Sequence, residues 1–150
     1  MILDKVQEFA DATAVGTPNN STVNVGNIFS IGDLRDIGRG HPVYLVVQVT
    51  TAFTSGGAAK AAFLLVSDST TTIAVDGTAT KHIETPAIAV ASLVAGYQVV
   101  VPLPWEEPDY EKFIAFQVKE TAGQALTAGK VNAFLTLEPS AHKAYPDAVN

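Results

Sequence analysis

Two short stretches gather most of the side chains that could do chemistry. Pro104-Trp-Glu-Glu-Pro-Asp-Tyr-Glu111 holds the only Trp, two prolines and four carboxylates. Paired carboxylates serve glycoside hydrolysis or ligate calcium through oxygen, and Trp105 beside Glu106, Glu107 and Asp109 suits stacking on a sugar ring. In an extended chain, however, the adjacent Glu106 and Glu107 point to opposite sides, and no calcium-loop spacing occurs. The stretch therefore reads first as a stiff acidic loop between sheets or at an interface. There Trp105 and Tyr110 would act as partner anchors, because such rings add contact area at low entropy cost.

The second stretch is Gly32-Asp-Leu-Arg-Asp-Ile-Gly-Arg-Gly40. Glycine-rich loops can cradle phosphates, but this one lacks the Gly-Lys-Ser/Thr ending. It also runs through His41-Pro42 into a strand pattern, which leaves no helix N-terminus to hold an anion. Asp33, Arg35, Asp36 and Arg39 alternate in sign, so the expectation is a structural loop that makes local ion pairs or partner contacts. His41, His82 and His142 are far apart and have no metal-ligand spacing, which makes solvated or hydrogen-bonded histidines the default. No G-x-S-x-G elbow is present, although a Ser-His-Asp group assembled by the fold stays open. No catalytic residue, cofactor or metal is expected, and the chain does not read as an enzyme.

Composition narrows the class. The 150 residues suit one domain, able to bury ~68–70% of its unfolded surface without staples. With no Cys there is no disulfide framework and no thiolate site. Charged residues make up 16%, below the usual ~25%, which argues against disorder and against a surface of exposed helices. The 22 Ala, 18 Val and 15 Thr favour pleated, half-buried strands. A net charge of −6 and scattered cations make nucleic acid an improbable partner, since phosphate binding needs a cationic footprint. No secretory signal is expected, because Asp4, Lys5 and Glu8 interrupt the opening, and the longest candidate span, Thr85 to Leu103, contains Pro86, Gly96 and Pro102 and reads as strands rather than a membrane span.

The elements that must position these stretches are mostly strands. Ile2, Leu3, Val6 and Ala10 have rough helical spacing, broken at Gly16-Thr17-Pro18, so residues 1–21 read as an arm or short helix. Residues 22–138 read as the body and 139–150 as a Pro-containing tail. Strands are expected at Thr22–Val25, Val43–Phe53, Ala59–Ser67, Ala87–Leu93 and Tyr97–Val101. Thr70–Val75 and Thr78–Ile83 flank Asp76-Gly77, a strong hairpin signal. In Lys112–Lys119, Ile114, Phe116 and Val118 share one face; in Lys130–Glu138, Val131, Ala133, Leu135 and Leu137 do. The Gly-bounded connection Thr121–Gly129 suggests a hairpin between these two. Phe113 and Phe134 fall on the opposite faces, as a second core face or an interface. About eight short strands with no long helix indicate an all-β jelly roll or β-sandwich.

Three stretches carry a family resemblance. Met1-Ile-Leu-Asp-Lys5, Arg35-Asp-Ile-Gly-Arg-Gly-His-Pro-Val-Tyr-Leu-Val-Val47 and Ala144-Tyr-Pro-Asp-Ala148 are similar to the capsid cement (decoration) proteins of podovirus-type tailed phages. The layout between them, Thr51-Ala-Phe53 followed by a Gly-rich turn and a second apolar strand, is similar too. The resemblance implies an oligomeric jelly roll, a homodimer in the first instance, on the outside of an icosahedral shell. There it would bridge neighbouring major capsid proteins, with no catalytic residues. It also implies a virion location, after assembly in the host cytoplasm.

The expectation is thus a non-enzymatic virion protein. Its candidate partner contacts are Asp33, Arg35, Asp36, Arg39, Trp105, Glu106, Glu107, Asp109, Tyr110 and Tyr145. The partners are the major capsid protein and a second copy of the chain, not nucleic acid or membrane. The alternatives are a carbohydrate-binding β-sandwich built on Trp105 and its carboxylates, a small β-sandwich hydrolase, or another virion β-domain of a tail or spike.

Overall fold

The fold is taken from a computed structural model that describes residues 7–32, 41–104 and 108–142. Among the described residues, β-branched and aromatic side chains at alternating positions make ten strands, in order β1 (Glu8–Ala14), β2 (Thr22–Asn24), β3 (Phe29–Ser30), β4 (Tyr44–Ser55), β5 (Lys60–Asp68), β6 (Thr80–Glu84), β7 (Ile88–Ala89), β8 (Gln98–Pro102), β9 (Phe113–Glu120) and β10 (Leu126–Thr136). They form two antiparallel sheets, one ordered β1-β10-β4-β8 and the other β2-β9-β5-β6, with β3 on β9 and β7 on β5. Apart from β5 and β6, which are consecutive and paired, successive long strands pass from one sheet to the other, so their sheet neighbours come from distant parts of the chain. Leaving aside the two-residue strands β3 and β7, that is the strand order of an eight-stranded jelly roll.

Burial explains the pattern. Along β9, Ile114, Phe116 and Val118 are fully buried and face Leu45, Val47 and Val49 of β4 and Val131, Ala133 and Leu135 of β10 across the sandwich. Rings of Phe9, Phe116, Phe63 and Phe53 form a row through this core, with successive centroids 6.5, 6.0 and 6.2 Å apart. Tilted, stacked and edge-on ring pairs of this spacing add to the gain from burial alone. Gly26 lies where the chain between β2 and β3 crosses β1. Its φ is +78°, and a Cβ there would sit 2.0 Å from the Phe9 carbonyl oxygen, so no other residue fits.

Several expectations change. The helical spacing at the start gives way, from Glu8 on, to β1, because Phe9 and Ala10 are buried only by pairing with β10. The stretch read as an arm thus contributes the first strand of the sandwich. The Asp76-Gly77 turn exists, with Asp76 Oδ1 accepting from Thr78 N at 3.0 Å and Thr78 Oγ1 at 2.7 Å. Its hairpin does not: Thr70–Val75 is not a strand, and β6 pairs with β5 instead. The outer face of that sheet carries Leu64, Val66 and Ala115, and residues 69–79 lie over it with Ile73 buried as a plug.

Neither Ser55–Ala59 nor Thr121–Ala125 closes a hairpin, since the strands each one joins belong to different sheets. Ala87–Leu93 shortens to β7 and a 3-10 turn at Val90–Ser92 that delivers Leu93 to the core. Leu137, expected inside, is 59% exposed because β10 ends at Thr136. Phe134 belongs to a second core face: it is buried on the outer side of its sheet, with the His142 ring at 4.8 Å. Phe113 packs against the outer cluster around Ile73.

Candidate functional site

A jelly roll sorts its connections between two ends. At one end lie 15–21, 56–59, 90–97 and 121–125. There the fully buried Glu120 carboxylate accepts from the backbone N–H groups of Asn20 (2.8 Å), Ala122 (2.7 Å), Gly123 (3.0 Å), Gln124 (3.3 Å) and Lys60 (3.4 Å). Burial alone would raise its pKa, but these donors outweigh burial and hold it below the ordinary carboxylate range. One side chain thereby fastens three connections, which makes this end rigid.

The other end carries the stretches singled out by their chemistry. Gly32 and His41 bracket residues 33–40, and Pro104 and Pro108 bracket residues 105–107, at the end where β10 finishes. Leu103 N donates to Val43 O at 2.8 Å and Ile31 N to Lys112 O at 2.9 Å, which ties the flanks of the two loops together once within each sheet. The sequence candidates Asp33, Arg35, Asp36, Arg39, Trp105, Glu106, Glu107 and Tyr145 lie outside the described residues, so only their flanks are placed. Asp109 is exposed.

Tyr110 departs from expectation. It is only 4% exposed, and its hydroxyl donates to Pro104 O at 2.8 Å, so it clasps the two ends of the loop rather than offering its ring to a partner. Its ring stacks on His82 at 3.8 Å. His82 Nε2 lies 2.7 Å from Ser67 Oγ, which also accepts from Glu111 N at 3.0 Å, while the Glu111 carboxylate takes the Thr80 hydroxyl. The imidazole pKa is lowered to about 4, chiefly by burial, with the Glu111 charge and the Pro108 carbonyl pulling the other way. A neutral ring can accept a hydrogen bond from the Ser67 hydroxyl.

Sequence reasoning missed this Ser67-His82-Tyr110-Glu111 cluster. Its members lie on β5, β6 and the run into β9, and only the sheet register brings them together. The Ser–His pair has the residue types of an activated nucleophile, but Ser67 is completely buried and presents no oxygen to a substrate. What the cluster does is lock the loop that carries Asp109. Among the described residues no three His, Asp or Glu side chains converge as metal ligands, and no helix is long and apolar enough to cross a membrane.

The segment after β10 closes the outer face of the other sheet. Gln48 Nε2 and Gln98 Nε2 both donate to His142 O, at 3.2 and 2.8 Å. The last described residue is thus pinned over β4 and β8.

Fold and site together define a small jelly-roll domain with one stapled end and one end at which long connections collect. Within that class the chain belongs to the Bbp16 family, whose pattern matches residues 9–135. No curated protein matches it. Among solved structures it is similar to a chain of Israeli acute paralysis virus, from the full particle heated to 63 degrees. The identity is 14% and the TM-score 0.33, over 100% of this chain and 80% of that one.

Proposed function

We propose that this protein is a non-enzymatic virion component that binds the outside of an icosahedral phage capsid and cements neighbouring major capsid proteins, working as a homodimer. The observation that carries the reading is the convergence at one end of the sandwich. The flanks of residues 33–40 and 105–107 stand together there, and residues 35–40 belong to a stretch that resembles cement proteins. A protein of this kind needs a stiff body, polar loops at a common end and no reaction. The stapled opposite end, the packed Phe row and the clasped Tyr110 loop supply the first two. Capsid contacts are assigned to Asp33, Arg35, Asp36, Arg39, Trp105, Glu106, Glu107 and Asp109, with Tyr145 from the tail; Tyr110 supports them from below. The acidic charge limits capture of nucleic acid during assembly, which takes place in the host cytoplasm.

The test is to mix purified protein with expanded, undecorated capsids and heat them. Saturable co-sedimentation and a raised capsid disruption temperature are the expected results, both weakened by Arg35→Glu with Arg39→Glu. No co-sedimentation at any ratio would overturn the proposal.

A further inference from the structure

Four strands form the edges of the two sheets, β1 and β8 in one, β2 and β6 in the other. An open edge invites pairing with another chain, and proteins blunt edges with charge, bulges or short length. β1 carries Glu8 and Asp11, pairs irregularly with β10, and is crossed where Asn27 N donates to Phe9 O. β2 is three residues long, and β6 carries Lys81 and Glu84. β8 has neither charge nor bulge. It reads Gln98-Val-Val-Val-Pro102, and no charged residue occurs between Glu84 and Glu106.

The register with β4 settles which backbone groups of β8 face outward. Leu103 N donates to Val43 O at 2.8 Å and Val49 N to Tyr97 O at 2.9 Å. In an antiparallel pair such bonds recur at every second residue, so Val99 and Val101 also bond to β4. The Val100 N–H and C=O therefore point away from the sheet, as does the Pro102 carbonyl. Among the described residues no strand pairs with that side. Val100 is 41% exposed, and Val99 and Val101 are only partly buried against the core.

We infer that β8 pairs antiparallel with β8 of a second copy about a two-fold axis at Val100, joining two four-stranded sheets into one. Val100 exchanges two N–H···O bonds with its counterpart. Val99 lies opposite the copy's Val101 on the inner face, in the non-hydrogen-bonded pairing that brings side chains closest. The neighbouring registers are closed. A two-fold at Pro102 would set two residues without N–H against each other. One at Gln98 would put Val100 opposite Gly96, which turns with φ +90°.

The edge is its own complement, since each of its valines meets a valine, a β-branched pair suited to a sheet. Charge points the same way. Each chain carries −6, and here two copies approach without setting carboxylates together. The inference rests on the homodimer in the function proposed above and gives it a surface; the capsid is no part of it.

The test is light scattering of the full chain across a dilution series, with amide exchange read at Val100. Twice the chain mass is expected, with slow exchange at Val100 that quickens on dilution. Val100→Pro removes an outward N–H and no bond to β4, and Val100→Lys sets two ammonium groups face to face. Each should raise the dissociation constant by about tenfold or more, while Val75→Lys, on another surface, should leave it unchanged. If the Val100 variants fail to fold, the Val100 amide of the natural chain decides. A single chain at the highest soluble concentration would overturn the inference. So would a dimer that both Val100 variants keep, one that Val75→Lys weakens equally, or one with fast exchange at Val100. A free dimer that never binds capsids would sink the function and leave this edge standing; capsid binding by a chain that stays single would do the reverse.

Discussion

The His82 imidazole lies nearly flat on the Tyr110 ring, with centroids 3.8 Å apart and planes 15° from parallel. This stack couples the register of β6 to the loop before β9. Burial favours the neutral form of this imidazole, whose Nε2 pairs with the Ser67 hydroxyl.

Stability should therefore fall in mild acid. The folded pKa of His82, about 4, is below its ordinary 6.5, so the unfolded chain takes up the proton first. The contribution is full above about pH 6.5 and is lost as pH falls towards 4, at a cost on the order of 2–3 kcal/mol. Urea unfolding between pH 7 and 4.5 measures it. His82→Phe should flatten the dependence over that window, and an unchanged slope would contradict the neutral stack.

At the opposite end, Glu120→Ala strands five backbone donors and should cost about 2–4 kcal/mol. Because the folded pKa of Glu120 is lowered, its contribution is present above the ordinary carboxylate range and disappears as pH falls through the depressed value. Denaturant midpoints of the two proteins should therefore approach each other in strong acid. A constant gap would contradict the charged cradle.

Phe116 sits between the rings of Phe9 and Phe63 with no exposed surface. Phe116→Ala should cost about 3–5 kcal/mol from transfer and cavity terms together. Thermal or urea unfolding reads this directly, and a loss below about 1 kcal/mol would mean that the core does not run along this face.

Ile73 tests the outer layer. Ile73→Ala should cost about 2 kcal/mol, at the low end for a buried aliphatic residue because the cover can settle inward. Faster amide exchange across residues 70–79, with β4 and β10 unchanged, is the accompanying signature. Uniform loss of protection throughout the molecule would instead make this cover part of the main cooperative unit.

Much of this was legible in the chain itself. Alternation in β9 and β10 assigned Ile114, Phe116, Val118, Val131, Ala133 and Leu135 to the core correctly, because period two is a local property of a half-buried strand. The long apolar runs of β4 and β5 were equally plain. Pairing was not legible: β4 and β5, like β9 and β10, belong to opposite sheets, so the Gly-containing connections after β4 and β9 are crossings rather than hairpins. The Asp76-Gly77 turn forms as its residues demand, yet the apolar outer face of β5 claims the preceding arm for cover.

The candidate site divides in the same way. Residue types in 33–39 and 104–111 pointed to contact loops, and their flanks do meet at one end. The clasp beneath them depends on Ser67, His82 and Glu111, whose proximity is a consequence of sheet register alone. Tyr110 was misread for the same reason, since an aromatic ring beside carboxylates gives no local sign of whether it faces partner or core.

The central claim is that this domain cements a phage shell through its loop end. A cryo-EM map of the parent particle tests it most directly. The account predicts jelly-roll density outside the shell, with the end bearing residues 33–40 and 104–111 against two neighbouring major capsid subunits. Density confined to the tail or spike, or a domain seated on the shell by the Glu120 end, would contradict it.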